Sequence, residues 1–136
     1  MVDSERISER LALLRQYRDE LAELRDLPVS EYLASHTYSG RYLVQVAAQL
    51  SIDLANHLIA SSGWRPPSDF RDAFTVLEER GVLDGDLTRH LRDLAGLRNR
   101  LVHLYDSVDD RSLHQALGSG LDDLDGFARA IAARLD

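Results

Sequence analysis

The chain has 136 residues, 44% of them hydrophobic and 29% charged, carries a net charge of −7, and contains no cysteine. Those figures describe one soluble domain over residues 1–136, long enough to bury a core of its own. They exclude a disulfide framework, thiolate chemistry and a protein that simply coats nucleic acid, which is usually basic. The polar run from Ser4 to Glu9 leaves no room for a signal peptide's apolar stretch, and no apolar run approaches a membrane span. Cytoplasmic residence is the expectation, and all 16 basic residues are arginine.

In chain order the apolar period is helical throughout. Ile7, Leu11, Leu14, Leu21 and Leu24 mark a first helix, with Ser4 as its expected N-cap and Pro28 just beyond its end. Ser30 to Ala34 reads as a short second helix. Leu43, Val46, Ala47, Leu50, Leu54, Leu58 and Ile59 mark a long third, from about Tyr38 to Ser61, stopped by Gly63. Pro66-Pro67 makes a rigid connection. Ser68 is expected to cap a helix running through Phe70, Phe74 and Leu77, with Gly81 as its stop. Asp84-Gly85 reads as a turn, and Asp86 opens a helix through Leu87, Leu91, Leu94, Leu97 and Leu101. Asp106 to Asp110 reads as a loop. A last helix runs from Leu113 to Leu135 and is expected to kink at Gly118 and Gly120. Strand and repeat signals are absent. The fold class is therefore all-α: an up-and-down bundle of four main helices with one or two short ones.

Chemistry concentrates in Arg98-Asn99-Arg100-Leu101-Val102-His103-Leu104-Tyr105. Two guanidinium groups, an amide, an imidazole and a phenol sit on an otherwise apolar helical segment. Guanidinium binds phosphate bidentately and keeps its charge, and imidazole moves protons near neutrality. The set suits a phosphodiester without requiring a metal. An Arg followed five positions later by a His is weak by itself, since chance gives about 0.6 such pairs in this composition. At 100° per residue Asn99 and His103 share a face and Arg100 lies nearby. Arg98 stands about 140° from His103, so its side chain must bend back, or a second helix or subunit must complete the pocket. Taken alone, His103 reads as a surface histidine, Arg98 and Arg100 as solvated or paired with acids such as Asp93, and Tyr105 as a boundary residue. Asp53 and His57, four apart, lack the third ligand a metal site needs. His36, His90 and His114 show no partner pattern.

The octet resembles the HepT-like toxins of the HEPN superfamily, whose pattern reads Arg, four residues, His, any residue, Tyr. Ile52 to Ala60, Trp64-Arg65-Pro66-Pro67, Phe70-Arg71-Asp72-Ala73-Phe74 and Leu94 to Asn99 are similar to that family in the same order, from about Arg41 to Leu135. The resemblance implies a metal-independent endoribonuclease, the toxin of a toxin–antitoxin pair, with Arg98 and His103 catalytic and Asn99 and Arg100 binding RNA. It implies a two-fold homodimer, no cofactor, and Tyr105 as the site where an MNT-type nucleotidyltransferase antitoxin attaches AMP. The family's polar cluster on the third helix implies that Asp53 orients Arg98. The alternative is a non-catalytic helical module that serves as substrate or scaffold for the nucleotidyltransferase.

Overall fold

The computed structural model describes residues 3–135. Six α-helices form: α1 (Ser4–Arg25), α2 (Val29–Ser35), α3 (Thr37–Ser62), α4 (Phe70–Glu79), α5 (Gly85–His103) and α6 (Asp110–Ala132), with a 3₁₀ turn at Tyr105–Ser107. No strand occurs among the described residues. The bundle is the all-α architecture the apolar periods predict.

Four of the helices start at an aspartate. Asp3, Asp69, Asp84 and Asp109 each accept a hydrogen bond from a backbone N–H in the first turn of α1, α4, α5 and α6. Asp3 and Asp69 therefore displace the serines expected at the first and fourth helices, and α5 begins at Gly85 rather than Asp86. A carboxylate satisfies the orphan N–H and also meets the positive end of the helix dipole. Gly63 and Gly81 stand at φ 72° and 73°, left-handed positions that end α3 and follow α4. The segment expected as a loop from Asp106 to Asp110 instead holds part of the 3₁₀ turn and the first residue of α6. α6 continues as helix through Gly118 and Gly120.

α3 runs through the centre and touches α1, α4, α5 and α6; α1 packs on α6, and α4 on α5. Ile7, Leu14 and Leu21 of α1 meet the stripe of Leu113, Leu117, Leu121, Leu124, Phe127 and Ile131 on α6 in one core. Phe74 and Phe127 meet edge to face, 5.8 Å between centroids at 83°. Arg18 Nε donates to Asp125 at 3.0 and 3.2 Å, tying α1 to α6 outside that core. His114 stacks on Tyr32 at 4.5 Å and its Nε2 lies 2.9 Å from the Leu24 carbonyl, a packing role. α3 is long and apolar enough to cross a bilayer by composition, with mean hydropathy 1.2 over its best window, contrary to the sequence expectation. More than half of that window is buried against the other helices, as befits the central helix of a bundle.

The connection from α3 to α4 is clamped rather than merely stiffened by its prolines. Arg65 donates to Asp72 at 2.8 and 3.0 Å and to Glu79 at 2.9 Å, so one guanidinium holds two turns of α4. Arg65 first, and the Ser68 backbone N–H second, hold the Asp72 carboxyl well below the usual carboxylate range. A depressed folded-state value stabilises above the unfolded pKa and is lost as pH falls through the folded one. The wild type should therefore lose melting temperature more steeply below about pH 4 than Asp72→Asn does. Parallel acid limbs in a thermal-melt series would refute the clamp.

Candidate active site

On α5 the positions 92, 96, 99 and 103 fall on one stripe, within about 60° of each other at 100° per residue. Leu91, Ala95 and Leu101 are buried and anchor the helix, and along the stripe Gly96 is buried, Arg92 and Asn99 are half-buried and His103 is exposed. Arg98 lies off the stripe, as its spacing predicts. Its side chain bends back: Nη1 donates to Asn99 Oδ1 at 3.1 Å. Behind it the Phe70 ring, from the start of α4, faces the guanidinium at 5.0 Å. Arg98 Nε is buried with no hydrogen-bond partner. Asn99 and Phe70 together aim the guanidinium, and Phe70 is a contact that helical spacing could not reveal.

His103 is the last residue of α5. The residue is exposed, and its imidazole makes no hydrogen bond or ion pair among the described residues. Nothing in the single chain bonds Arg98 to His103. The helix ends here because Leu104 adopts φ −133° and the chain turns into the 3₁₀ turn. Arg100 supports that ending: its Nη2 donates to the Ser107 carbonyl at 2.8 Å, while Ser107 Oγ donates to the Leu104 carbonyl at 2.7 Å. Arg100 is thus tied to the turn that follows the helix.

Tyr105 opens the 3₁₀ turn with its ring 44% exposed. The cation against it is Arg41, at 4.0 Å from the ring centroid. Arg41 is only 9% exposed. It donates to the Tyr105 carbonyl at 2.8 Å, the Val108 carbonyl at 2.8 Å and both Asp110 carboxylate oxygens at 2.7 and 3.2 Å. Asp110 holds the guanidinium's pKa above its ordinary value, chiefly through the hydrogen bond. Arg41 was the first residue of the family resemblance, yet no local pattern marks it as a site residue.

Asp53 does not reach Arg98. It accepts from Gln49 Nε2 at 2.9 Å, one turn back on α3, and lies in a groove with Leu13, Tyr17 and Val46 on the α1 side. The helical period gives Asp53 a face but not a neighbour, and the face it takes is towards α1. His57 Nε2 is buried without a partner. Among the described residues no three His, Asp or Glu side chains gather as metal ligands, so Asp53 and His57 gain no third.

The electrostatics of the stripe depend on what the arginines bond. Arg92 donates to Thr75 Oγ1 and the Arg71 carbonyl, Arg98 to Asn99, and Arg100 to Ser107, all neutral oxygens. Elsewhere Arg18, Arg41 and Arg65 bond carboxylates. Asp93 is the single acid between Arg92 and Tyr105, and no arginine bonds it. A segment of an acidic protein thus keeps its positive charge uncancelled, which suits an anion.

An all-α bundle with this set at the end of an inner helix is the HEPN kind of domain. Residues 7–131 match the Ribonuclease HepT-like family, and the chain belongs to it. It is 29% identical to a tRNA nuclease HepT of Aphanizomenon flos-aquae, over 95% of this chain and 89% of that protein. It is 29% identical to an mRNA nuclease HepT of Shewanella oneidensis, over 66% of this chain and 68% of that one. A solved tri-AMPylated HEPN toxin of Shewanella oneidensis, in complex with an MNT antitoxin, superposes with a TM-score of 0.86 over 98% of this chain and 100% of that one, at 24% identity.

Removing Arg41 leaves Asp110 and two carbonyls without their donor. Arg41→Ala should cost about 3 kcal/mol, the usual order for breaking a mostly buried pair from one side. Amides from 104 to 110 should exchange faster than those of α1. Unchanged exchange there, with unchanged urea midpoint, would show that Arg41 does not hold the segment.

Proposed function

We propose that the chain is a metal-independent endoribonuclease, the toxin of a toxin–antitoxin pair, working in the cytoplasm without a cofactor. The observation that carries this reading is a free, exposed imidazole on the stripe where Asn99 aims Arg98, in a segment whose arginines bond only neutral oxygens. The two curated relatives named for tRNA and mRNA cleavage support it.

His103 acts as general base on a ribose 2′-hydroxyl. The 2′-oxygen attacks the adjacent phosphorus, the O2′–P bond forms and the P–O5′ bond breaks. The leaving 5′-oxygen takes a proton from water, the protonated His103 gives its own back to solvent, and a 2′,3′-cyclic phosphate and a 5′-hydroxyl result. Arg98 stabilises the charge that grows on the phosphoryl oxygens. Asn99 orients Arg98, and Arg100 assists binding from the helix end. DNA lacks the attacking group and resists. Because Arg98 and His103 do not meet within one chain, a two-fold homodimer would bring the residues of both copies to one groove. Exposed Val102 and Leu104 beside the site offer apolar surface for it. Asp53 would orient Arg98 only across such an interface.

Cleavage should persist in excess EDTA, and light scattering should give twice the 15.3 kDa chain mass. His103→Ala should lose about 10²–10⁴ in rate and Arg98→Ala about 10²–10³. Loss of activity with EDTA, or survival of both substitutions, overturns the mechanism.

Tyr105 is proposed as the control point. Its phenol, at a helix end and partly exposed, can attack the α-phosphorus of a nucleoside triphosphate held by an MNT-type nucleotidyltransferase, with pyrophosphate leaving. The added AMP would place negative charge among Arg41, Arg98 and Arg100 and exclude RNA phosphate. The AMPylated state of the solved toxin from Shewanella oneidensis supports this. Tyr105→Phe should still cleave RNA and escape neutralisation by the partner. An AMP adduct undiminished in Tyr105→Phe, read by intact mass, places the switch elsewhere. The second reading, a non-catalytic module for the nucleotidyltransferase, draws on the net charge of −7. It requires wild-type protein that cuts no RNA yet accepts AMP.

A further inference from the structure

Gly96 stands in the interior of α5, where glycine is unfavourable relative to alanine. It is buried, and what covers it is Arg71 of α4. A Cβ on Gly96 would collide with Arg71 Nη2 and come within 3.0 Å of Cζ and 3.2 Å of Nε. The guanidinium therefore lies against the backbone of α5 in a place only glycine leaves open. Arg71 is nevertheless an exposed residue, and its side chain makes no hydrogen bond or ion pair among the described residues. Its backbone carbonyl accepts from Arg92, so a second guanidinium sits beside it.

The placement is aligned with the chemistry already described. Gly96 belongs to the stripe of positions 92, 96, 99 and 103. It precedes His103 by seven residues, about 10 Å along the helix axis. That is too far for Arg71 to share the phosphate on which His103 would act. It is a suitable reach for another phosphate of the same strand. A guanidinium laid against a helix with its donors unspent suits a phosphate contact.

We propose that Arg71, seated on Gly96, is a second phosphate-binding subsite that holds the RNA backbone away from the scissile bond. This rests on the RNA-cleaving reading above. A contact so far from the reacting atoms is made equally in the ground and transition states, so it lowers KM and leaves kcat alone. It also releases counterions, so it adds to the salt dependence of binding by about 0.7 in the log–log slope for a single strand.

The test uses single-stranded RNA oligonucleotides with wild type, Arg71→Ala, Arg71→Lys, Gly96→Ala and the Arg71→Ala/Gly96→Ala double variant. Steady-state cleavage gives KM and kcat, and a salt series of RNA binding in the His103→Ala background gives the slope. Arg71→Ala should raise KM roughly tenfold, keep kcat, and flatten the slope by about 0.7. Arg71→Lys should retain the slope and recover part of the affinity. Gly96→Ala should displace the guanidinium and weaken binding as Arg71→Ala does, with the double variant no weaker than either. Arg71 is exposed, so its variants keep the fold even where Gly96→Ala does not. Unchanged KM and slope in Arg71→Ala, with wild type cleaving normally, overturn the subsite and spare the nuclease reading. Wild type that neither binds nor cuts RNA overturns both.

Discussion

One buried guanidinium fixes how the candidate site ends. Arg41 sits near the start of α3, 64 residues before Tyr105 and 69 before Asp110, and spends its donors on the carbonyls and carboxylate of that connection. A chain leaving a helix has orphan carbonyls to satisfy. Here the Leu104 N–H returns to the Arg100 carbonyl, and Arg41 and Arg100 supply donors to the carbonyls just beyond, at Tyr105, Val108 and Ser107. α5 can then stop at His103 and turn into the 3₁₀ turn that presents Tyr105. The exposed imidazole and the exposed phenol flank a connection that is held from the neighbouring helix α3.

The start of α4 is the other support. Arg65 binds Asp72 and Glu79, and the Asp69 side chain accepts from the Asp72 backbone N–H at 2.7 Å, so the first turn of α4 has little freedom. That turn delivers Phe70 to Arg98 and Arg71 to Gly96. Two arginines outside the octet, Arg41 and Arg65, therefore set the geometry of the residues inside it. Arg98 gains an orientation without a carboxylate partner, which would have cancelled the charge it is positioned to offer.

Much of this was legible in the residues. The apolar period placed the first four helices to within a residue or two and the last to within three. What spacing could not show is which distant element fills the space beside a given face. Asp53 illustrates it: periodicity places it on α3, but packing turns it towards Leu13 and Tyr17, where Gln49 takes its carboxylate. Arg41, Phe70 and Arg71 act across separations that no local pattern encodes, and only their occurrence in segments of family resemblance hinted at them. Two caps were read one residue away, Ser4 for Asp3 and Ser68 for Asp69, because serine and aspartate compete for the same task, and aspartate adds charge to the bond.

The net charge of −7 and a phosphate-binding role are reconciled by pairing. An arginine bonded to a carboxylate contributes almost no field beyond a Debye length, and Arg18, Arg41 and Arg65 are spent in this way on structure. Arg92, Arg98 and Arg100 are held in place by a hydroxyl, an amide and a carbonyl, which orient a guanidinium without neutralising it. These three guanidiniums, all carried by α5, therefore add positive potential along that helix, and an anion that reaches it meets charge no carboxylate offsets. On the proposed reading, an anion attached at Tyr105 would confront the same cations.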